Sequence, residues 1–361
     1  MPTLVRYATR LFFVHVGLML MGFVALLQLL DILSNADDVL SDHGEDMTAL
    51  LRYAWLRLPE SVVFMMPFSV LMGSLLAVAR LAQNNEVLAL KAAGLSFYKL
   101  LLAFVPAALV AAGLYFVFSD RLAPASNRAL AEWNAAAAAD RAAVEVASEE
   151  GIWVRDGDVL VRVGIVTDEG RELRGVTLFL RDDQGNMTER LTARAASYDG
   201  ESWRLFGVER LDLVDGSGGT FTRFAEHPWR TALTPGHFSD LATPPSGLSL
   251  SELIDFATNP DVGNRPTYYY ETWVQKRITL PIAVLIMLLL AAPVAQGLQR
   301  HGGVAGGLMA GLGLGFLYFV ADGFVLALGE AGAIPPALAA WSPPLMFASL
   351  GGAALIRFEG Y

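Results

Sequence analysis

Apolar residues fall into six long runs separated by polar stretches: Leu11 to Leu33, about Ser61 to Ala82, about Tyr98 to Ser119, Ile278 to Gly297, Gly303 to Leu328, and about Ile334 to Ile356. Each holds roughly the twenty residues that a helix rising 1.5 Å per residue needs to cross about 30 Å of hydrocarbon. The pattern predicts an α-helical polytopic membrane protein with six transmembrane helices. The first run continues for over twenty residues after Arg10 and has no small-residue cleavage pattern, so it reads as a retained span rather than a leader.

Between the third and fourth runs the period changes. Ala123 to Val146 is rich in alanine and predicts a helical connector. Six short β-prone runs follow: Gly151 to Arg155, Val159 to Val163, Val176 to Leu180, Arg190 to Ala195, Ser202 to Val208 and Thr220 to Phe224. Asp156-Gly157, Gln184-Gly185-Asn186, Asp199-Gly200 and Asp215-Gly216 punctuate them as turns. Such spacing predicts an all-β sandwich or jelly roll of about a hundred residues. Thr243-Pro244-Pro245-Ser246-Gly247 then reads as a hinge back to the bilayer. The expected organisation is spans 1–3 within 1–120, a connector over 121–146, a β domain over 147–245, and a return linker with spans 4–6 over 246–361.

Composition agrees: 54% hydrophobic, 17% charged, with positive mean hydropathy. The formal charge of -10 is concentrated, since 18 of the 36 acids lie between Glu145 and Asp240 against 11 arginines, which marks that interval as water-facing. With no cysteine, there is no disulfide framework, thiolate metal site or thiol nucleophile. Arg6, Arg10, Arg80, Lys91, Lys99, Arg300 and Arg357 fall on one face if both termini are cytoplasmic. That topology puts the acidic loop Ser34 to Glu60 and the β domain outside, and leaves Lys276 with Arg277 on the outer face against the bias.

Catalytic chemistry is sparse. A Walker A loop needs lysine directly after glycine, but the three lysines follow Leu90, Tyr98 and Gln275, so the chain cannot be a P-loop ATPase by itself. The five histidines form no H-E-x-x-H pair and no serine sits in a G-x-S-x-G elbow, which disfavours an intramembrane hydrolase. Neither a metal site nor nucleic-acid binding is expected. His15 and Asp322 lie inside predicted spans, where ionisable groups face a cavity or a partner. They leave open an ion-coupled secondary transporter that uses them as a relay.

Asn84-Asn85-Glu86 followed by Val87, Leu88, Leu90 and Gly94 predicts a short helix, about 84–93, between spans two and three. It reads either as a hairpin on the headgroups or as a coupling helix in the groove of a cytoplasmic ATPase, with Glu86 facing a basic residue there. Tyr268-Tyr269-Tyr270 and Trp273 form an interfacial belt before Lys276 and Arg277, which either snorkel or bind an anionic, phosphate-bearing lipid at a cavity mouth. Glycines 302, 303, 306, 307, 311, 313 and 315 give span five a close-contact face for this chain or for a homologous partner.

The order of parts resembles the lipopolysaccharide export permease family, the LptG type more than its LptF paralogue. The resemblance covers essentially the whole chain. It rests on Arg6-Tyr7, Leu81-Ala82-Gln83 with Glu86 and Gly94, Gly151 to Gly157, Leu248-Ser249, Asp322, and Ile334-Pro335-Pro336. It implies a non-catalytic subunit of an ABC-type exporter in the inner membrane, paired with an LptF-type permease, an LptB-type ATPase dimer that binds ATP and magnesium, and an LptC-type bitopic protein. Lipopolysaccharide would enter from the membrane and leave along periplasmic β-jellyroll domains. Glu86 would then belong to the ATPase-coupling helix, and Lys276 and Arg277 to the cavity mouth. Where family members carry lysines near the outer end of span one, this chain has Gln28, Asp31, Asp37 and Asp38, so the paralogue supplies that charge or the headgroup is less phosphorylated.

Overall fold

The computed structural model describes residues 2–43, 46–93, 97–142, 151–157, 159–182, 186–213, 220–231, 233–241, 245–259, 265–301 and 304–359. The chain divides into two compact units, Met1–Asn35 with Arg57–Ala123 and Glu271–Tyr361, and Ala36–Leu56 with Pro124–Tyr270.

Among the described residues, six helices are long and apolar enough to cross a membrane. They are α1 (Pro2–His43), α2 (Met47–Gln83), α4 (Phe97–Val117) continuing into α5 (Ala123–Ala142), α8 (Thr267–His301), α9 (Val304–Glu330) and α10 (Pro336–Glu359). The short α3 (Glu86–Ala92) joins α2 to α4. Ser34 to Glu60, expected as a loop, is mostly helix: α1 runs on to His43, and α2 starts again at Met47. No proline or glycine interrupts the stretch before Gly44. Asp46 opens α2 by accepting from the Thr48 backbone N–H and hydroxyl at 3.3 and 2.8 Å.

The helical unit packs around Phe12, Leu71, Leu75, Phe104, Met287 and Phe347, all nearly inaccessible. Small residues set its closest approaches. A Cβ at Gly73 of α2 would lie 2.6 Å from the Val16 Cα of α1. In α9, Gly311 and Gly315 face Leu75 and Phe68 of α2, whereas Gly306 and Gly313 meet nothing within 4 Å. Of the predicted contact face, Gly311 and Gly315 are thus satisfied within the chain, Gly307 is buried, and Gly306 and Gly313 are open; Gly302 and Gly303 lie outside the described residues. Gly73→Ala should destabilise by about 1–3 kcal/mol through overpacking. Gly113→Ala, at an open helical position, should gain about 0.5–1 kcal/mol. Thermal unfolding in detergent compares them, and equal shifts would contradict this packing.

The second unit is built on one six-stranded antiparallel sheet whose strands lie in chain order. They are β1 (Ile152–Asp156), β2 (Val159–Thr167), β3 (Glu172–Arg181), β4 (Met187–Tyr198), β5 (Trp203–Asp212) and β6 (Thr220–Trp229). All six predicted runs are strands, most of them longer than the runs. Gly157 and Gly200, at φ +58° and +103°, make two of the expected turns; Gln184-Gly185 and Asp215-Gly216 lie outside the described residues, as do Thr243-Pro244 of the hinge and residues 143–146 of the connector.

The sheet is creased. Ladder pairing steps from Val163↔Val176 to Ile165↔Arg174, from Val176↔Ala193 to Arg174↔Ala195, and from Val208↔Phe224 to Phe206↔Glu226. Each step passes over a line that includes Gly164, Gly175, Arg194 and Gly207, with Gly175 and Gly207 at φ +66° and +63°. Buried positions change parity there: Leu173 precedes Val176, Ala193 precedes Ala196, and Leu205 precedes Val208. Glycine permits this left-handed backbone in mid-strand, and the buried face continues across the bend.

One end of that face is closed by aromatics. Trp203 pairs with Trp229, stands edge-on to Phe238 of α6 (Pro235–Leu241) at 5.3 Å, and donates its indole N–H to the Leu233 carbonyl at 2.9 Å. Trp203→Ala should cost about 3–5 kcal/mol, the range for deleting a large buried aromatic. Thermal unfolding of the purified chain checks this, and a shift no larger than that of an exposed substitution would contradict it. Next comes α7 (Leu250–Thr258), opened by a capping box in which the Ser249 hydroxyl accepts from Glu252 N–H and Ser249 N–H donates to the Glu252 carboxylate. Glu252 also pairs with Arg128 of α5.

Candidate functional site

The α2–α3 junction is built by Asn85, whose φ of +58° turns the chain. Asparagine tolerates this conformation, and its carbonyl accepts from Ala89 N–H at 3.0 Å as α3 begins. Four candidate residues lie on α3 and separate by face. Val87 is buried in the helical core, Leu90 is partly buried, Leu88 is exposed, and Glu86 is the first helical residue. Gly94 lies outside the described residues. Glu86 accepts hydrogen bonds from the Tyr7 hydroxyl, at 3.0 and 3.2 Å to its two oxygens, and from Asn84 Nδ2 at 3.4 Å.

The intramembrane candidates meet in an unexpected way. Lys276 Nζ of α8 lies 2.5 Å from both carboxylate oxygens of Asp322 of α9. The two side chains are only 9% and 15% exposed. Three residues before Lys276, the Trp273 indole N–H donates to Glu330 at 2.8 Å, so α8 and α9 share two polar ties. The Trp341 indole of α10 donates to Gln275 at 3.1 Å. Arg277 is buried, and its Nη1 donates to the Ser119 carbonyl at 2.7 Å. Ser119 sits in a π-turn, Phe118–Leu122, between α4 and α5, and such turns offer carbonyls that an α-helix would use itself. His15 stays on its own helix, donating Nδ1–H to the Leu11 carbonyl at 2.8 Å. The structure therefore joins Asp322 to Lys276 and not to His15.

Near the other end of span one, buried Gln28 donates to the Ser61 hydroxyl at 3.1 Å, and Asp31 lies 3.5 Å from Arg57. Arg57 also holds Glu60 at 2.6 Å. Sequence reading missed Tyr7, Arg57 and Ser119 as partners. Their signals were an Arg6-Tyr7 pair whose partner was unknown, a basic residue within an acidic stretch, and a serine at a span end. Among the described residues, no group of His, Cys, Asp and Glu could hold a metal.

These features define a class, a multi-pass helical membrane protein with an antiparallel β domain inserted between two sets of three spans. The chain belongs to the family described as lipopolysaccharide export system permease LptF/LptG, which it matches over residues 6–357. It is LptG-like: it is 25% identical over 297 residues to the lipopolysaccharide export system permease protein LptG of Escherichia coli strain K12, covering 82% of each chain. The LptG of Haemophilus influenzae is 25% identical over 304 residues, covering 84% of each. The chain is thus a lipopolysaccharide export permease, a non-catalytic transporter subunit of the inner membrane.

Proposed function

We propose that this permease is the LptG-type half of an ABC-type exporter that takes lipopolysaccharide from the inner membrane and is driven by a separate ATPase. The supporting observation is α3. Val87 anchors it in the core, Leu88 is exposed, and the half-buried Glu86 carboxylate stands at its first turn. This suits a helix docked in a partner's groove. No lysine here follows a glycine, so ATP and magnesium belong to the partner, an LptB-type dimer.

A second permease of LptF type would cover the apolar faces of α1 and α9, where Met21, Leu29, Leu33, Met309, Phe316 and Phe324 are all more than 60% exposed. Both termini would then be cytoplasmic and the β domain periplasmic, joined by an LptC-type protein and leading toward the outer membrane. In this reading Gln28 and Asp31 border the lipid path, and Lys276 and Arg277 stiffen its wall near the cavity mouth.

Co-reconstitution of the permease pair and ATPase in liposomes, with release of lipopolysaccharide to a soluble acceptor as the readout, tests the proposal. Release should require ATP and magnesium and stop when the ATPase is omitted. Release driven by an ion gradient alone would overturn it.

A further inference from the structure

We propose that Tyr7 is a positioning residue for energy coupling, holding the Glu86 carboxylate toward the ATPase and making α1 the element that moves with α3. The inference rests on the ATPase-partner reading above. The α3 helix has seven residues, too few to be stable alone, so tertiary contacts set its position. Val87 and Leu90 are two such contacts, and the Tyr7 hydroxyl, bonded to both Glu86 oxygens across 79 positions of sequence, is another.

An open, almost wholly apolar pocket of about 320 Å³ is lined by Tyr7 and Glu86 themselves together with Leu4, Leu81, Leu90 and Leu100. The hydrogen bond spans the mouth between α1 and α3 and joins the two helices there. An ionised carboxylate offers about four lone-pair positions. The phenol and Asn84 leave acceptor capacity for a partner cation. Because α1 is continuous from Pro2 to His43, motion at Tyr7 is carried to Gln28 and Asp31, about 30–36 Å away at 1.5 Å per residue.

Tyr7→Phe keeps the ring and removes only the hydroxyl. In the full complex of permease pair and ATPase, assembly and the KM for ATP should be unchanged. Lipopolysaccharide released per ATP should fall about tenfold, the weight of one hydrogen bond to a charged group. In a Glu86→Ala background, which removes the acceptor, the same change should have little further effect, because the two residues act as one unit. A merely structural tyrosine would lower thermal stability and assembly and add its loss in either background. An unchanged release ratio, or an equal loss in both backgrounds, overturns the Tyr7 assignment alone. A complex without any ATPase overturns the reading beneath it as well.

Discussion

Lys276→Ala is expected to destabilise the helical unit by about 3–5 kcal/mol, the cost of leaving a buried charge without its partner. Asp322→Ala should be as damaging. The pair joins α8 to α9 at 2.5 Å, with both side chains shielded from water. At membrane depth no solvent replaces the lost partner. The exchanged double variant, Lys276→Asp with Asp322→Lys, should recover much of the loss, since the attraction survives reversal. Thermal unfolding of the wild type, Lys276→Asp, Asp322→Lys and the exchange in one detergent measures this as a coupling energy. Additive losses, with no recovery in the exchange, would mean that the two residues act independently.

Glu86→Lys should uncouple the permease from its ATPase. The change places an ammonium where a carboxylate accepts from Tyr7 and Asn84, and it confronts the basic residue expected on the partner with a like charge. Like-charge juxtaposition at an interface costs several kcal/mol. Lipopolysaccharide release should therefore fall by about a hundredfold or more, which at 1.4 kcal/mol per tenfold needs only about 2.8 kcal/mol. The isolated chain should melt almost as before, because Glu86 lies at the surface of the helical unit and its ties are exposed. Pull-down of the ATPase and single-turnover release separate lost docking from lost coupling. A variant that retains its ATPase and its rate of release would remove α3 from the mechanism.

The sequence made the spans and strands legible through two different periodicities. Apolar runs of bilayer length marked six spans, and alternation between Gly151 and Phe224 marked six strands. Both signals are local, and so were the helix ends at Gln83 and Glu86. The helix past Ser34 is not announced by any apolar periodicity in this acidic stretch, although Asn35 to His43 contains no helix breaker.

Pairings across long separations were not legible. Lys276 and Asp322 each stand out in the sequence, one as a cation against the topological bias and one as an intramembrane acid. Their union depends on how α8 and α9 face each other, which no local pattern reports. Tyr7 and Glu86 were each part of the family resemblance, yet nothing in their spacing joined them. The crease at Gly164, Gly175 and Gly207 was half visible, since glycine within a strand signals a bulge. Only the strand register shows that these positions share one line across the sheet.

As one half of an ATP-driven lipopolysaccharide exporter, this permease should travel with its ATPase, its paralogue and its cargo. The most direct measurement is affinity purification of the tagged chain from native membranes in mild detergent, with mass spectrometry of the proteins and lipids that accompany it. A small soluble ATPase, a second six-span permease and lipopolysaccharide should accompany it. Recovery of the chain alone, carrying only ordinary phospholipid, would contradict that role.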